Sequence, residues 1–385
     1  MKKIILLSTI IFCISCNKET VKNEQWNKVE NRCTIELKAK VDIPIDDETS
    51  AFIPYMQYFD EDTVTDMLLT LNTYNNSIYF FDYVRKEFVK KIMYEKEGNN
   101  GVGEIQGFNF LTPDSIFVYN YWGMTVYLTN DCSVVSWKRR LPMDGFNRAE
   151  FMPAYPWLQT NSPMVYIDGE LVFGGFMGAE TTAQTITNSP VTTIYDFQED
   201  TVFFANNYPE QYIKYNWGGG FFKMPYFDVN KDKKNVIVSF PQDHNVYVYS
   251  LNSREQREFY AGSSMIPEIK AFDQKKELRT QLDDNRTKRW FFSTPSYRNI
   301  IYDKYRDLYY RLFCLPLKEG NDKWQPVGLI VLDGNFNYVG EGLFPDDVNL
   351  RYSNSFVSKE GLNIQVMTDN DDLMTFYQFK VDIHE

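Results

Sequence analysis

Side chains able to carry acid–base or metal chemistry are sparse in this sequence. There are two histidines, His244 and His384. His244 falls in an expected loop and His384 is the penultimate residue. No pair has metal-ligand spacing, and a Ser-His-Asp triad would depend on His244 alone. A lone loop histidine is ordinarily solvated. Asp228-Val-Asn230-Lys-Asp232 matches the opening ligand positions of a calcium loop, but Lys233 stands where that loop needs glycine and Ser239 where it needs glutamate. The form recurs at Asp303-Lys-Tyr-Arg-Asp307, so both read as strand-to-strand turns. Asp369, Asp371 and Asp372 form a further acidic turn. Neither a metal nor a cofactor is expected. Glu95, Glu97, Glu104, Glu150, Glu180 and Glu210 could supply the carboxylate pair that glycoside hydrolysis requires, but spacing selects no pair among them. Lys275, Lys276, Arg279, Arg286, Lys288 and Arg289 form a basic cluster that reads as a solvated helix face.

The richer chemistry is stacking. Phe, Tyr and Trp make up 17% of the chain, and rings pack well on pleated faces, so this content points to strands. Between Met67 and Leu141 one pattern of three short strands occurs twice. Met67–Asn72, Ser77–Asp82 and Glu87–Ile92 are followed, each shifted by 48 residues, by Ser115–Asn120, Thr125–Asn130 and Val135–Arg140. Antiparallel strands repeating at this period predict propeller blades.

Followed along the chain, the pattern gives an all-β, six-bladed β-propeller, with seven blades as the alternative. Blade one opens with Ala51–Phe59 and blade two with Gly107–Leu111. Blade three is blurred, with Met164–Ile167, Glu170–Gly175, Val191–Asp196 and Thr201–Ala205. Blade four takes Tyr226–Tyr260 and blade five Tyr297–Gly342. Blade six, from Tyr352 to Val381, is one strand short. The solitary alternating strand Thr34–Asp42 (residues 34–42) is expected to complete it and close the ring, removing exposed edges. A helical insertion is expected near residues 268–289, where Ile269, Phe272, Leu278 and Leu282 form a narrow apolar stripe.

This parse sorts the connections. One face receives the links from second to third strand and from blade to blade, and every long segment falls there: 95–106, 142–163, 176–190, 206–224, 261–296, 316–325 and 344–350. The other face has short turns. Function concentrates on loops held by a rigid scaffold, so the long-loop face is the expected working surface. Tyr121, Trp122, Trp157, Tyr212, Trp217, Trp290 and Trp324 lie on it and are the candidate ligand contacts, with Tyr155 and Tyr208 beside them. Such rings stack on sugars or on a partner's apolar side chains. Packing of the loops onto the propeller is the alternative for each ring singly. Asn216-Trp217-Gly218-Gly219-Gly220 is the most unusual loop, since glycines admit close backbone approach.

The N-terminus sets the compartment. Lys2 and Lys3 precede an apolar run, Ile4–Ile14, of signal-peptide length and too short to span a bilayer. Ile14-Ser15-Cys16 resembles a lipobox, with Cys13 departing from the usual leucine. Residues 1–15 are therefore expected to be a signal peptide, Cys16 the lipidated residue, 16–31 a polar tether and 32–385 the propeller. A membrane partner held through the lipid follows, with the outer membrane as the default and its periplasmic or surface side open. Removing residues 1–15 takes away Lys2 and Lys3 and no acid, moving the formal charge from −12 to −14. That balance argues against a nucleic-acid partner. Cys33, Cys132 and Cys314 are expected to be buried and unpaired, with a Cys33–Cys314 bridge the lesser alternative.

Glu97-Gly-Asn-Asn-Gly-Val-Gly-Glu-Ile105, then Pro113-Asp-Ser-Ile-Phe-Val-Tyr119, and later Ile300–Phe313 resemble a Bacteroidetes-type family of six-bladed propeller lipoproteins of unknown function. The resemblance covers nearly the whole mature chain. It implies the fold and the extracytoplasmic location, and it carries no catalytic residues. More loosely the chain resembles other six-bladed propellers, some of them lactonases or lyases with metal-bound central sites, whose His and acidic pattern is not visible here. The expected function is binding of a glycan, peptide or protein partner through the long-loop face. An alternative is a hydrolase or lyase acting on polysaccharide with loop carboxylates at the central channel.

Overall fold

The computed structural model describes residues 19–384, apart from 51, 61–65, 144–145, 148–150, 177–185, 219–221, 273–284 and 318–323. Six antiparallel sheets succeed one another along the chain as blades of a propeller. Blade one comprises Met56–Phe59, Met67–Asn72, Ser77–Asp82 and Glu87–Met93; blade two comprises Ile105–Thr112, Ser115–Asn120, Thr125–Thr129 and Val135–Arg140. The two copies of the sequence repeat thus occupy equivalent strands. Blades four and five follow the expected order, from Tyr226 to Tyr260 and from Ser296 to Leu343.

Short polar residues at the strand ends turn the chain. Asp82 accepts from the Arg85 amide at 2.8 Å, Asn230 from Lys233 at 2.9 Å and Asp303 from Tyr305 at 3.0 Å. Each bond stabilises a tight turn locally. Lys86, Lys234 and Asp307 complete these turns at φ of 63°, 52° and 50°. Both acidic stretches are therefore strand ends followed by turns at 231–234 and 304–307, and the described residues contain no cluster of three metal-ligating side chains.

Closure follows the expected route. Cys33–Pro44 pairs antiparallel with Leu373–Ile383, from Cys33 opposite Ile383 to Pro44 opposite Leu373. Blade six is completed by the first long strand of the chain. The apolar interior is divided into wedges between blades. Val41, Ile43, Met374 and Phe376 of blade six pack with Leu68, Tyr79 and Phe81 of blade one. Around the channel, polar side chains of the inner strands cross to the next blade. Gln57 exchanges two bonds with the backbone of Phe110, Asn109 accepts from the Tyr166 amide and Asp228 from the Tyr302 amide at 2.6 Å. Asn354 donates to the Ile53 carbonyl, linking blade six to blade one. These bonds satisfy backbone groups that a closed ring of separate sheets would leave unpaired.

Three departures from expectation matter. First, the inner strand of blade three is in two pieces. Tyr155–Pro156 pairs with Gly175 and Phe176, while Met164–Ile167 pairs further along the same strand. The residues between them loop into the channel, which explains the blurred pattern there. Second, among its described residues the insertion is helical at Asn285–Ser293, whereas Glu268–Lys270 is a strand. Leu278 and Leu282 lie outside the described residues. Third, the expected tether is docked. Thr20–Lys22 pairs with Glu268–Lys270, Asn23 donates to the carbonyls of Ser263 and Ile266, and the Trp26 indole donates to Ser264. Cys16 and the apolar run Ile4–Ile14 lie outside the described residues.

Candidate functional site on the long-loop face

The channel does not pass through the molecule as an open tube. Residues 159–162 form a tight turn inside it, with Gln159 and Ser162 exchanging backbone bonds. The Thr160 hydroxyl accepts from the Met56 amide at 3.0 Å, the Asn161 side chain donates to Asn299 at 2.8 Å, and the Asn161 carbonyl accepts from the Phe227 amide. This turn plugs the channel. Two glycines make room for it. A Cβ on Gly107 would lie 2.7 Å from Leu158, and one on Gly174 would lie 2.2 Å from the Ser162 hydroxyl.

The plug separates two concavities. On the long-loop side, a depression of about 460 Å³ lies over blades one, two and six. Tyr121, Trp122 and Trp157 form its aromatic wall, with Tyr121 edge-on to both tryptophans at centroid distances of 5.3 and 5.1 Å. Trp122 is 80% exposed, because it sits at the tip of the link between the second and third strands of blade two. Arg351 lies opposite, its guanidinium 3.8 Å from the Phe52 ring centroid and its Nη2 donating to the Ile53 carbonyl. Its Nη1 is enclosed without a protein acceptor, as is Gln106 Oε1 without a donor. Burial brings the Arg351 pKa down to about 10, so it remains a cation at neutral pH. The depression thus offers stacking surfaces, with Gln106, Gln159, Asn354 and the Arg351 cation in its lining. Among its described lining residues Glu104 is the one carboxylate, and it pairs with Lys96 at 2.8 Å.

Four expected contacts stand elsewhere. Trp217 and Tyr212, at 2% and 1% exposure, are core residues, and this corrects their reading as ligand contacts. Tyr212 donates to the Phe222 carbonyl and the Trp217 indole to the Gln211 carbonyl, so the polar atoms of both rings are already used. Trp290 packs edge-on to Phe222 at 4.8 Å, with Gly218 at φ 69° letting the loop pass beside it. These rings fasten the 206–224 and 285–293 segments to the propeller. Trp324, half-buried, donates to the Asp346 carbonyl. Tyr208 is buried with Tyr212. Phe52, Gln106 and Arg351 were missed by sequence reasoning. Nothing local marks them, because only ring closure brings residue 351 beside residue 52.

His244 is also corrected. It is buried, not solvated: Nδ1 meets the Tyr297 hydroxyl at 2.7 Å and Nε2 faces the Val21 carbonyl. The Tyr297 oxygen accepts from the Ser263 amide, so its proton points to Nδ1 and the imidazole carries its own on Nε2. Burial lowers the His244 pKa to about 4, fixing the neutral ring. Beside it the buried Arg311 donates to Ser239 Oγ and to the carbonyls of Ala261, Phe240 and Asp243. This network ties the insertion to blades four and five. Cys33, Cys132 and Cys314 are free thiols, with Cys132 exposed rather than buried.

Beyond the plug, a second cavity of about 500 Å³ opens toward the short-turn face. It carries the channel carboxylates Asp60, Asp228 and Asp232, with Lys231 and Lys304, and Lys304 pairs with Asp60. Burial raises Asp228 to about 6, against bonds from the Tyr302 and Val229 amides that favour the charged form. Among the described residues, carboxylates at the channel therefore sit on the face opposite the long loops. Of the expected glutamates, Glu95 and Glu97 are exposed and Glu210 pairs with Lys214. Glu150 and Glu180 lie outside the described residues, as do Gly219, Gly220, Lys275, Lys276 and Arg279.

Six antiparallel blades, a plugged channel and a loop-built depression define a six-bladed β-propeller. The chain belongs to the DUF4221 family, a domain of unknown function, which it matches over residues 34–343. It is similar to the crystal structure of a DUF4221 member from Bacteroides vulgatus ATCC 8482, at 20% identity and a TM-score of 0.76, over 92% of this chain and 99% of that one. It is also similar to a protein of Bacteroides fragilis NCTC 9343 assigned as exported, at 12% identity and a TM-score of 0.53, over 91% and 96% of the two chains. At these identities the likenesses show the fold. No curated protein matches the chain.

Proposed function

We propose that this protein is an exported, lipid-anchored binding protein that holds a saccharide unit in the depression over blades one, two and six. One observation carries the reading: the Tyr121–Trp122–Trp157 wall faces a cavity lined also by the polar side chains of Gln106, Arg351 and Asn354. A sugar presents a C–H face for stacking and hydroxyls that both donate and accept, so it suits a depression that joins stacking rings to polar side chains. Hydrolysis needs two flanking carboxylates, whereas the described lining brings one, so binding is the reading the lining supports. The anchor rests on the Cys16 motif, and the exported Bacteroides fragilis relative is consistent with it.

Calorimetric titration against a panel of envelope and host glycans tests this. Trp122→Ala should weaken the best binder about tenfold, the equivalent of ~1.4 kcal/mol. Arg351→Met should weaken it similarly without loss of fold. A panel with no glycan binder, or a binder indifferent to both changes, rejects the site. Binding only of peptides or proteins reassigns the ligand.

A further inference from the structure

The docking of the N-terminal segment has a geometric consequence for orientation. Thr20–Lys22 lies against Glu268–Lys270, and Glu19 accepts from the Ala271 amide. Residues 261–296 link blade four to blade five on the long-loop face, and the Phe272 amide donates to Asn216 of another loop on that face. From there the chain descends the outer edge of blade five. Asn31 exchanges bonds with Glu341 and the Arg32 amide donates to Val339, before Cys33 starts the closing strand. The described chain therefore begins on top of the long-loop face, not at the short-turn face where the closing strand starts.

Two residues, Asn17 and Lys18, separate Glu19 from Cys16, a span of three chain steps. Fully extended, they reach about 10 Å. Blade strands of six residues, such as Met67–Asn72, make the propeller about 20 Å thick before its loops are added. A lipid on Cys16 cannot reach the bilayer from beneath the short-turn face. We infer that the long-loop face lies against the membrane surface, with the Glu19–Arg32 strap fixing that orientation and phospholipid headgroups as its partner. This rests on the reading of Cys16 as the lipidated residue.

One exposed ring agrees. Tyr74, 83% exposed, lies on a long-loop-face connection and outside the lining of the depression. At the short-turn side the exposed apolar residues include Val84 at 68%, Phe88 at 46% and Val134 at 45%, none of them a Tyr or Trp. Tyr and Trp favour the headgroup level of a bilayer, where an apolar body and a polar tip are both accommodated. With a formal charge near −14 the chain gains nothing from anionic lipid, so contact with zwitterionic headgroups is the arrangement its charge allows. The strap rises over blades four and five while the depression lies over one, two and six, so one face carries both.

The full-length lipoprotein, reconstituted on vesicles of phosphatidylethanolamine and phosphatidylcholine, provides the test. The native exposed thiol Cys132 reports the short-turn face; Tyr74→Cys in a Cys132→Ser background reports the long-loop face. A fluorophore on each is exposed to a lipid carrying a headgroup spin label. Quenching should be several-fold stronger at position 74 than at 132. Equal quenching, or stronger quenching at 132, overturns the orientation. Asn23→Ala with Trp26→Ala should release the strap and abolish the difference; a difference that persists shows that the strap does not set it and overturns the inference. Mass analysis of the N-terminal peptide separates the two levels, because an unmodified Cys16 overturns the anchor itself and the orientation with it.

Discussion

Replacing Asp228 by Asn should reverse its effect on stability between about pH 4 and about pH 7. The ordinary carboxyl value of 3.8 is raised to about 6 in the fold, chiefly by burial. Between those two values the folded chain holds more protons than the unfolded one, so stability falls as pH rises through that window and is level above it. The full difference corresponds to about 3 kcal/mol. Because the carboxyl borders a cavity, that figure is an upper bound. Asparagine carries no charge, but it has one acceptor where the carboxylate uses two oxygens, for the Tyr302 and Val229 amides. The lost bond costs about 1 kcal/mol. The variant should therefore be less stable than the parent by ~1 kcal/mol near pH 4 and more stable by up to ~2 kcal/mol near pH 7. Guanidinium unfolding across this range, followed by tryptophan fluorescence, reads the difference and cancels every other titrating group. Two parallel pH profiles would refute the reasoning, since they would mean that Asp228 titrates as it does in water.

Other substitutions separate packing from exposure. Trp217→Ala should cost about 3–5 kcal/mol and Trp122→Ala less than about 0.5, measured as shifts in thermal or denaturant midpoint; similar costs would contradict their burial. Arg311→Met should destabilise by several kcal/mol, because it strands three buried carbonyls and Ser239, and an unchanged midpoint would count against that network. In a native chain beginning at Asn17, only Cys132 should react with iodoacetamide at neutral pH. Cys33, whose thiol burial and Glu341 push to about 11, and buried Cys314 should add their adducts only after unfolding, as counted by mass spectrometry. Deleting Cys33–Pro44 should give oligomers on size exclusion, because it bares a strand edge and the cluster around Met374 and Phe376.

What was legible in the sequence was what repeats. Strands of alternating Ile, Val, Phe and Tyr bounded by Asn and Asp carry their own punctuation, so blade one, blade two and the Thr34–Asp42 closure could be read directly. The site was legible only in part. Tyr121, Trp122 and Trp157 fall together because they lie on neighbouring links, whereas Trp217 and Tyr212 are buried by loops whose paths no period encodes. Arg351 and Phe52 meet through closure of the ring, a relation invisible to spacing. The plug escaped notice because its signal is negative: two glycines, Gly107 and Gly174, where strands would favour larger residues. His244 misled because a loop position was equated with solvent, while docking of Thr20–Lys22 covers it.

The closing strand also dictates an order of events. Asp42 and Thr375 hydrogen bond across 333 residues, so the first strand to leave the ribosome is among the last to find its partner. Until the final segment arrives, both chain ends are unpaired edges, and the high contact order predicts slow folding. Once the ends meet, opening the ring means parting a register of eleven residue pairs, from Cys33–Ile383 to Pro44–Leu373, in one step. The same clasp that delays folding should therefore make the folded ring long-lived, its persistence set by an unfolding rate rather than by equilibrium stability alone.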